Sequence, residues 1–584
     1  MTYGVQTDRW PVRVWPGLLI VASVLFSWSV PGILASRTMF HFLSFVGGPV
    51  LGAILAVVWW TAFARVRGAL KWAVPALFVL PAVALAVLEI LDGRVPMAPL
   101  VYGLPFVLLL WVGWLAVSFP LGRTIRQTGL LMAMAAGWVA FGVLRLDGTD
   151  ADMMPEFASR FSPKPEERDE AELKGRPTVA AGKPLAESAQ EDTDWAEFRG
   201  PNRDGIVKAG PAIDTDWAAH PPKQLWKQKI GPGWGTFAVV GDRLFTQEQL
   251  GDNEAVVCYD AATGNVIWRH FEKAKFKEQI AGAGPRATPT VVNGRLYAMG
   301  ATGLLLCLQA EDGEPVWKTD ITTDTGGKPP QWGYASSPLV GGGLVIVYAG
   351  GPDGKGTAAF DAATGRFVWA AGHAAHGYSS AQRGVIAGVE QIVMLSDYGL
   401  ESFVPKTGKV LWEHKWYVKG VNRVTQPTVL GDGEFLIGTG VGGDMGTRRL
   451  KVTKEYDAEW KVEVVWSTKR VKPYFNDGVV HAGHLYGFDD KNLVCVNLDD
   501  GRTVWNAGTK FGHGQVLLLG SQGLLVIQAV DGTVYLLPAT PDEPAELGKL
   551  NAISGKTWNH PVVCRGKLYV RNGTWAAAYE LQPK

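Results

Sequence analysis

The chain repeats itself, and the repeat decides what it can fold into. The stretch AVVCYDAATGNVIW (255–268) returns as LLLCLQAEDGEPVW ending at Trp317, GTAAFDAATGRFVW at Trp369, LESFVPKTGKVLW at Trp412 and LVCVNLDDGRTVW at Trp505. Each time an apolar run meets an Asp/Thr/Gly-type turn, and a glycine (Gly264, Gly313, Gly365, Gly408, Gly501) stands four residues before the tryptophan. Tryptophans at 226, 268, 317, 369, 412, 466 and 505 mark steps of 39–54 residues. Self-similarity at such a period signals an array of one supersecondary unit that cannot bury its apolar face alone.

Between the tryptophans the order is constant: an apolar strand (ATPTVVN, SSPLVGG, VTQPTVL), a Gly turn, a second strand (RLYAMG, LVIVYAG, EFLIGTG), the quoted third strand, and a fourth ending in Trp. Four short strands per 40–50 residues is the pattern of a propeller blade. Blades begin near 236, 287, 335, 379, 425, 476, 514 and 559, which predicts eight blades over 195–584. The last has three strands (HPVVCRG, KLYVRNG, WAAAYEL), and KQLWKQKI around Trp226 is the natural fourth, removing a free edge.

The recurring turn needs an acceptor side chain and a residue tolerant of positive φ, hence Asp260 with Gly264 and Asp361 with Gly365. Cys258, Cys307, Ala359, Ser402 and Cys495 share one small-residue position, so these three cysteines read as buried core thiols and not as disulfides or metal ligands.

The first 146 residues are of another kind. Five apolar stretches near bilayer-crossing length lie at about 16–35, 39–63, 71–91, 97–119 and 128–146. Trp59, Trp60, Trp72 and Trp111 fall near their ends, as interfacial aromatics do. Arg9 and Arg13, then Arg65, Arg67 and Lys71, then Arg123 and Arg126 occupy alternate loops, against only Arg37 and Arg94 in the others. The positive-inside rule places the N-terminus in the cytoplasm and the propeller outside a cytoplasmic membrane, in the periplasm. Glu89 and His41 read as interfacial groups that reach water, in preference to a quinone or proton site. Residues 147–194, with 13 acidic and 6 basic side chains, read as a disordered linker with a short helix feasible around 165–174.

Net charge is +1, and neither zinc-finger spacing nor a basic-aromatic array occurs, so nucleic acid is not an expected partner. In a propeller the connections from outer strand to next inner strand converge on the central channel. Here they supply Arg286, Trp332, Tyr334, Tyr378, Arg423, Asn476, Asp477, His513, Trp558 and Asn559 as a candidate ligand-binding ring, with Trp234, Asn422, Gln515 and His560 beside them. Arginines suit carboxylates and tryptophans suit a flat ligand. No metal site is expected from the ring's own residues. The pair His481/His484 is too few ligands for zinc, GVGGDMG (440–446) opens no helix as a nucleotide loop would, and no strained elbow surrounds Ser379 and Ser380.

The phrase AFDAATGRFVW (359–369) resembles the tryptophan-docking repeat of the pyrroloquinoline quinone (PQQ) propellers, Ala-x-Asp-x-x-x-Gly-Lys-x-x-Trp, with Arg366 in place of Lys. The likeness covers 195–584, and WAEFRGPNRDG (195–205) is similar to the lead-in of many bacterial PQQ-repeat proteins. Membrane spans before such a propeller resemble membrane-bound quinoprotein glucose dehydrogenase. The resemblance implies either a ligand- or protein-binding module of the cell envelope, or a PQQ- and calcium-dependent dehydrogenase of sugars or alcohols that passes electrons to membrane quinone, in which case alone Asn476 and Asp477 are the nearest calcium candidates. The ring offers one acidic residue and lacks the adjacent cysteine pair of the alcohol dehydrogenases, which favours the binding module.

Overall fold

The structure, a computed structural model, describes residues 10, 12–34, 39–92, 95–149, 154–164, 167, 170–180, 185, 194–278, 280–374, 376–417, 422–431, 433–440, 445–455 and 459–584. The chain divides into two compact units, with the break after Lys164.

The first unit is helical: Trp15–Leu34, Met39–Val58, Leu70–Leu91, Leu104–Val117 and Arg123–Val143, with π-helical turns at Trp59–Phe63 and Ala98–Gly103. Where the sequence suggests five spans, three segments have the length and apolarity to cross a bilayer among the described residues: Leu43–Phe63, Leu70–Leu91 and Ala98–Val117. The first helix contributes a shorter apolar run, Trp15–Pro31, and the last opens on Arg123 and Arg126, which dilute its apolar character. The aromatic reading is also corrected. Trp72 is exposed, but Trp59, Trp60 and Trp111 are buried together, with the rings of Trp60 and Trp111 5.2 Å apart. Two of their indoles find partners inside the unit, Trp59 Nε1 donating to the Arg13 carbonyl at 3.1 Å and Trp60 Nε1 to the Leu70 carbonyl at 3.0 Å. Glu89, expected at the water interface, is 2% exposed, whereas His41 is half-buried with its ring edge-on to Phe45.

The stretch 147–194 contains regular structure. Strands Leu144–Thr149 and Pro155–Ser159 pair as a hairpin of the first unit. In the second unit, helix Glu170–Gly175 buries Leu173, and Arg269 clamps it by donating to the carbonyls of Leu173 (2.8 Å) and Arg176 (3.0 Å). One leucine in a charged run is enough to seat a helical turn when a packed surface awaits it.

The second unit is an eight-bladed propeller. Inner strands begin at Ala238, Thr290, Leu339, Gln382, Thr428, Val479, Gln515 and Val562, within four residues of every expected start. The sheets of blades 1 to 6 run in sequence order from inner to outer strand, and that of blade 7 adds Ile206–Val207, parallel, beside Gln515–Leu519. Strand Lys223–Lys229 completes blade 8 by pairing with Trp575–Glu580, Trp226 opposite Ala578.

The repeat's physics is visible at the seams. Asp260 Oδ1 accepts from the Ala262 and Thr263 amides, turning the chain so that Gly264 takes φ 73°. The Trp226 ring lies on that glycine, where a Cβ would sit 2.7 Å from the ring, and its indole donates to the Ala261 carbonyl at 3.1 Å. Trp268, Trp317, Trp369, Trp466 and Trp505 likewise donate to carbonyls of the following blade. Directly across the strand from five of the docked tryptophans stand Cys258, Cys307, Ala359, Cys495 and Ala578, which leave room for the ring. All four cysteines are buried thiols outside any disulfide, and burial pushes those of Cys307 and Cys495 up to about 11. Two seams depart from the rule. Trp412, with Ser402 opposite, donates to Gln391 Oε1 of its own blade, because blade 5 lacks the glycine turn. Blade 7 has no outer-strand tryptophan, and Trp217, from the segment before the first blade, packs on Gly548 in its place.

Candidate functional site

The segment 195–205 does more than lead into the first blade; it fills the channel. Trp195 exchanges backbone hydrogen bonds with Val239 of blade 1, and the Ala196 carbonyl accepts from Val291 of blade 2. Arg203 donates to the carbonyls of Ser337 and Pro338 at the entry to blade 3, and its own carbonyl accepts from Gln382 of blade 4. Arg199 donates to the Gly478 carbonyl at the entry to blade 6, Gly205 accepts from Leu518 of blade 7, and Phe198 stands edge-on to His560 before blade 8. A segment bonded to the inner edges of seven blades lies on the axis. It enters and leaves past the turns that join first to second strands, since Asp194 bonds Gly241 and Arg565, and Val207 bonds Gly520. Arg199 (φ 62°) and Arg203 (φ 54°) fold it back on itself, and both are buried, Arg203 against Glu197 at 3.0 Å. Burial draws the Arg203 pKa down while Glu197 opposes it.

At the opposite end the predicted ring separates into two groups. Arg286 and Arg423 are spent on the protein itself. Arg286 donates to the carbonyls of Trp332 (2.9 Å), Gly282 (2.9 Å) and Gly284, and lies over Phe276. Arg423 donates to the carbonyls of Gly438 (2.6 Å) and Trp416 and stacks on the Trp416 ring. Burial lowers both guanidinium pKa values to about 10. Asn476 accepts from the Tyr474 amide and donates to the Gly514 carbonyl; Asn559 donates to the Gly233 and Gly235 carbonyls. Asp477 accepts from the Gln426 amide, and its other oxygen faces His560 at 3.6 Å and Arg199 at 3.7 Å. Burial opposes its ionisation, but Arg199 and His560 prevail and hold the carboxyl below its ordinary range. Tyr334 is wholly buried, bonded to the Ala349 carbonyl.

The aromatic members form the mouth. Trp234 and Trp558 lie 5.0 Å apart at 35°, Phe475 meets Trp558 at 4.9 Å, and His513 stacks on Tyr474 at 4.7 Å. These come from the connections into blades 1, 8, 6 and 7, which are neighbours around the ring. A second pair, Trp332 on Tyr378 at 5.0 Å and 26°, stands at blades 3 and 4, where the Trp332 amide donates to the Tyr378 hydroxyl. The indole N–H groups of Trp234, Trp332 and Trp558 are buried without an acceptor. Tyr474 and Phe475, which precede Asn476 and Asp477 in PYFNDG (473–478), join the mouth although the sequence expectation names only the polar pair; a four-residue polar-aromatic run at a channel mouth is itself a signal.

A family model described as outer membrane protein assembly factor BamB matches residues 218–298 and 252–507. The propeller belongs to the PQQ-like β-propeller repeat family. BamB of Shewanella oneidensis is 22% identical over 381 residues, covering 60% of this chain and 86% of that protein. A polyvinylalcohol dehydrogenase of Sphingopyxis is 30% identical over 197 residues, and quinohemoprotein alcohol dehydrogenase ADH-IIG of Pseudomonas putida 26% over 275. These cover 30% and 43% of this chain, which spans only 28% and 36% of the two dehydrogenases.

The residues present do not fit a calcium-bound quinone of this family. Calcium takes six to eight oxygens, and the one carboxylate of the ring, Asp477, is already committed to Arg199, His560 and a backbone amide. The two arginines expected to hold quinone carboxylates are saturated by backbone carbonyls.

Proposed function

We propose that this chain is a membrane-anchored propeller of the cell envelope that binds a ligand or protein partner at its aromatic channel mouth, without a quinone cofactor. One observation carries the reading: at the mouth every charged group of the predicted ring is bonded internally, while three indole N–H donors stay unspent beside an aromatic surface that Lys556 overlies at Trp234 and Trp558. Such a surface suits an uncharged, acceptor-bearing, flat or extended ligand, since aromatic rings give large contact area and indole donors give direction. The relatives named as assembly factors agree with a binding role. Purified full-length protein mixed with PQQ and calcium is expected to show neither a bound chromophore nor dye-linked oxidation of sugars and alcohols. A tight chromophore with turnover overturns the proposal in favour of the dehydrogenase.

The same reading places the N-terminus in the cytoplasm and the propeller outside. Beyond the three candidate spans it requires both Trp15–Leu34 and Arg123–Val143 to cross, with Arg123 and Arg126 on the cytoplasmic side. A reporter active only after export is expected to be silent when fused after Ser118 and active when fused after Lys164. The reverse pattern inverts the topology.

A further inference from the structure

We propose that His373, Glu401 and Glu413 form a divalent-cation site at the edge of blade 4, with zinc as the best-matched ion. Glu401 lies on strand Gly399–Phe403 and Glu413 on the outer strand Val410–Lys415, where they are direct cross-strand partners. Like charges placed opposite one another destabilise a sheet unless something positive bridges them. Among the described residues the only ion-pair partner of either carboxylate is His373, with Nδ1 2.8 Å from Glu401 Oε1 and 3.7 Å from Glu413 Oε2. One donor atom from each of the three residues lies within 4.8 Å of the others.

The donors are also oriented. The Tyr398 ring lies flat on the His373 imidazole, with centroids 3.5 Å apart at 6°, which fixes the plane in which Nδ1 faces the carboxylates. The Tyr398 hydroxyl donates to Glu413 Oε1 at 2.6 Å and leaves Oε2 turned toward the histidine. Partners of this kind set ligand orientation at metal centres. Glu401 is 2% exposed and rigid, while His373 and Glu413 are nearly half exposed and can adjust. Around zinc the donors stand about 2.1 Å from the ion and so ~3.4 Å from one another, between the separations found here. One imidazole and two carboxylates leave a fourth tetrahedral position for water, whereas calcium would require six or more oxygens. The ion would tie the connection that starts at Gly372, and carries Tyr378 to the channel mouth, to the outer half of blade 4.

The test is a zinc titration of the full-length, chelator-stripped protein against a chromogenic competitor, with calcium and magnesium in parallel. We expect one saturable zinc site per chain, little competition from calcium or magnesium, and loss of that site in His373→Ala and Glu413→Gln. Tyr398→Phe is expected to weaken zinc about 10-fold. Glu413 is on an exposed strand, so Glu413→Gln should fold normally, and circular dichroism checks this. Absence of saturable zinc binding in the wild type, or binding unchanged in folded Glu413→Gln, overturns the assignment.

Discussion

The two ends of the propeller channel spend their arginines alike and differ in their aromatic residues. On the plugged side Arg199 and Arg203 reach into the axis and bond carbonyls of blade entries 3 and 6. At the mouth Arg286 and Arg423 do likewise for their own loops, and the tryptophans beside them keep indole donors unspent. The comparison teaches that an arginine whose donors meet backbone carbonyls is structural at either end, and that binding capacity is to be sought in the aromatic groups of the open mouth. A buried donor bonded to backbone is part of the scaffold; a donor at a cleft without an acceptor is where a partner's atoms belong.

Deleting 195–222 is expected to have the largest effect. It removes the plug, the parallel strand Ile206–Val207 and Trp217, and leaves the channel lining of seven blades unsatisfied. Limited proteolysis should find no stable propeller core; a resistant core of native size shows that the plug is dispensable. Arg203→Ala strands two carbonyls and leaves the buried Glu197 with only the half-exposed Arg383 at 3.6 Å, and should destabilise by about 3 kcal/mol in denaturant unfolding. A loss below about 1 kcal/mol would break the likeness between the arginines of the two ends.

A carboxyl near Arg286 gives a pH test. Burial lifts Glu254 from 4.5 to about 7, against the opposing pull of the Ala301 amide and Arg286. The folded state therefore holds this proton more tightly than the unfolded chain, so stability falls as pH rises from about 4.5 to about 7, by roughly 3 kcal/mol. Glu254→Gln should flatten that decline in urea melts, and an unchanged slope removes Glu254 from the account. Arg286→Ala is next, at about 2 kcal/mol for its unpaired carbonyls, with mouth binding little changed if the loop holds. Trp332→Phe and Trp558→Phe keep the rings and delete the donors. They should leave stability within about 1 kcal/mol and weaken capture of a mouth ligand by roughly 5–10-fold. Undiminished binding in both sharpens the surface to its aromatic faces alone.

Much of the propeller was legible because its period is written in residues that have one physical use. A positive-φ glycine, an acceptor at the turn and a slab-like tryptophan repeat at fixed offsets, and blade number and starts follow. The plug was not legible, since WAEFRGPNRDG has no periodicity and its arginines are matched by backbone carbonyls that no side-chain pattern encodes. The same blindness made Arg286 and Arg423 look available. The spans were misjudged from composition alone: Trp59, Trp60 and Trp111 sit where interfacial residues would, yet they pack on one another inside the bundle. The break in docking at Trp412 was foreshadowed by the missing glycine in blade 5.

The pairing of Lys223–Lys229 with Trp575–Glu580 also sets a schedule. The chain's last regular strand must find a partner made some 350 residues earlier, a separation that makes the closing step slow and late. During synthesis blades 1 to 7 can stack on one another as they emerge, but Lys223–Lys229 waits without its sheet until the strands from Val562 to Glu580 are free. A ribosome stalled near Asn559 would thus hold an open, adhesive arc, and a frameshift in the final few dozen codons would be felt as strongly as one in the first blade.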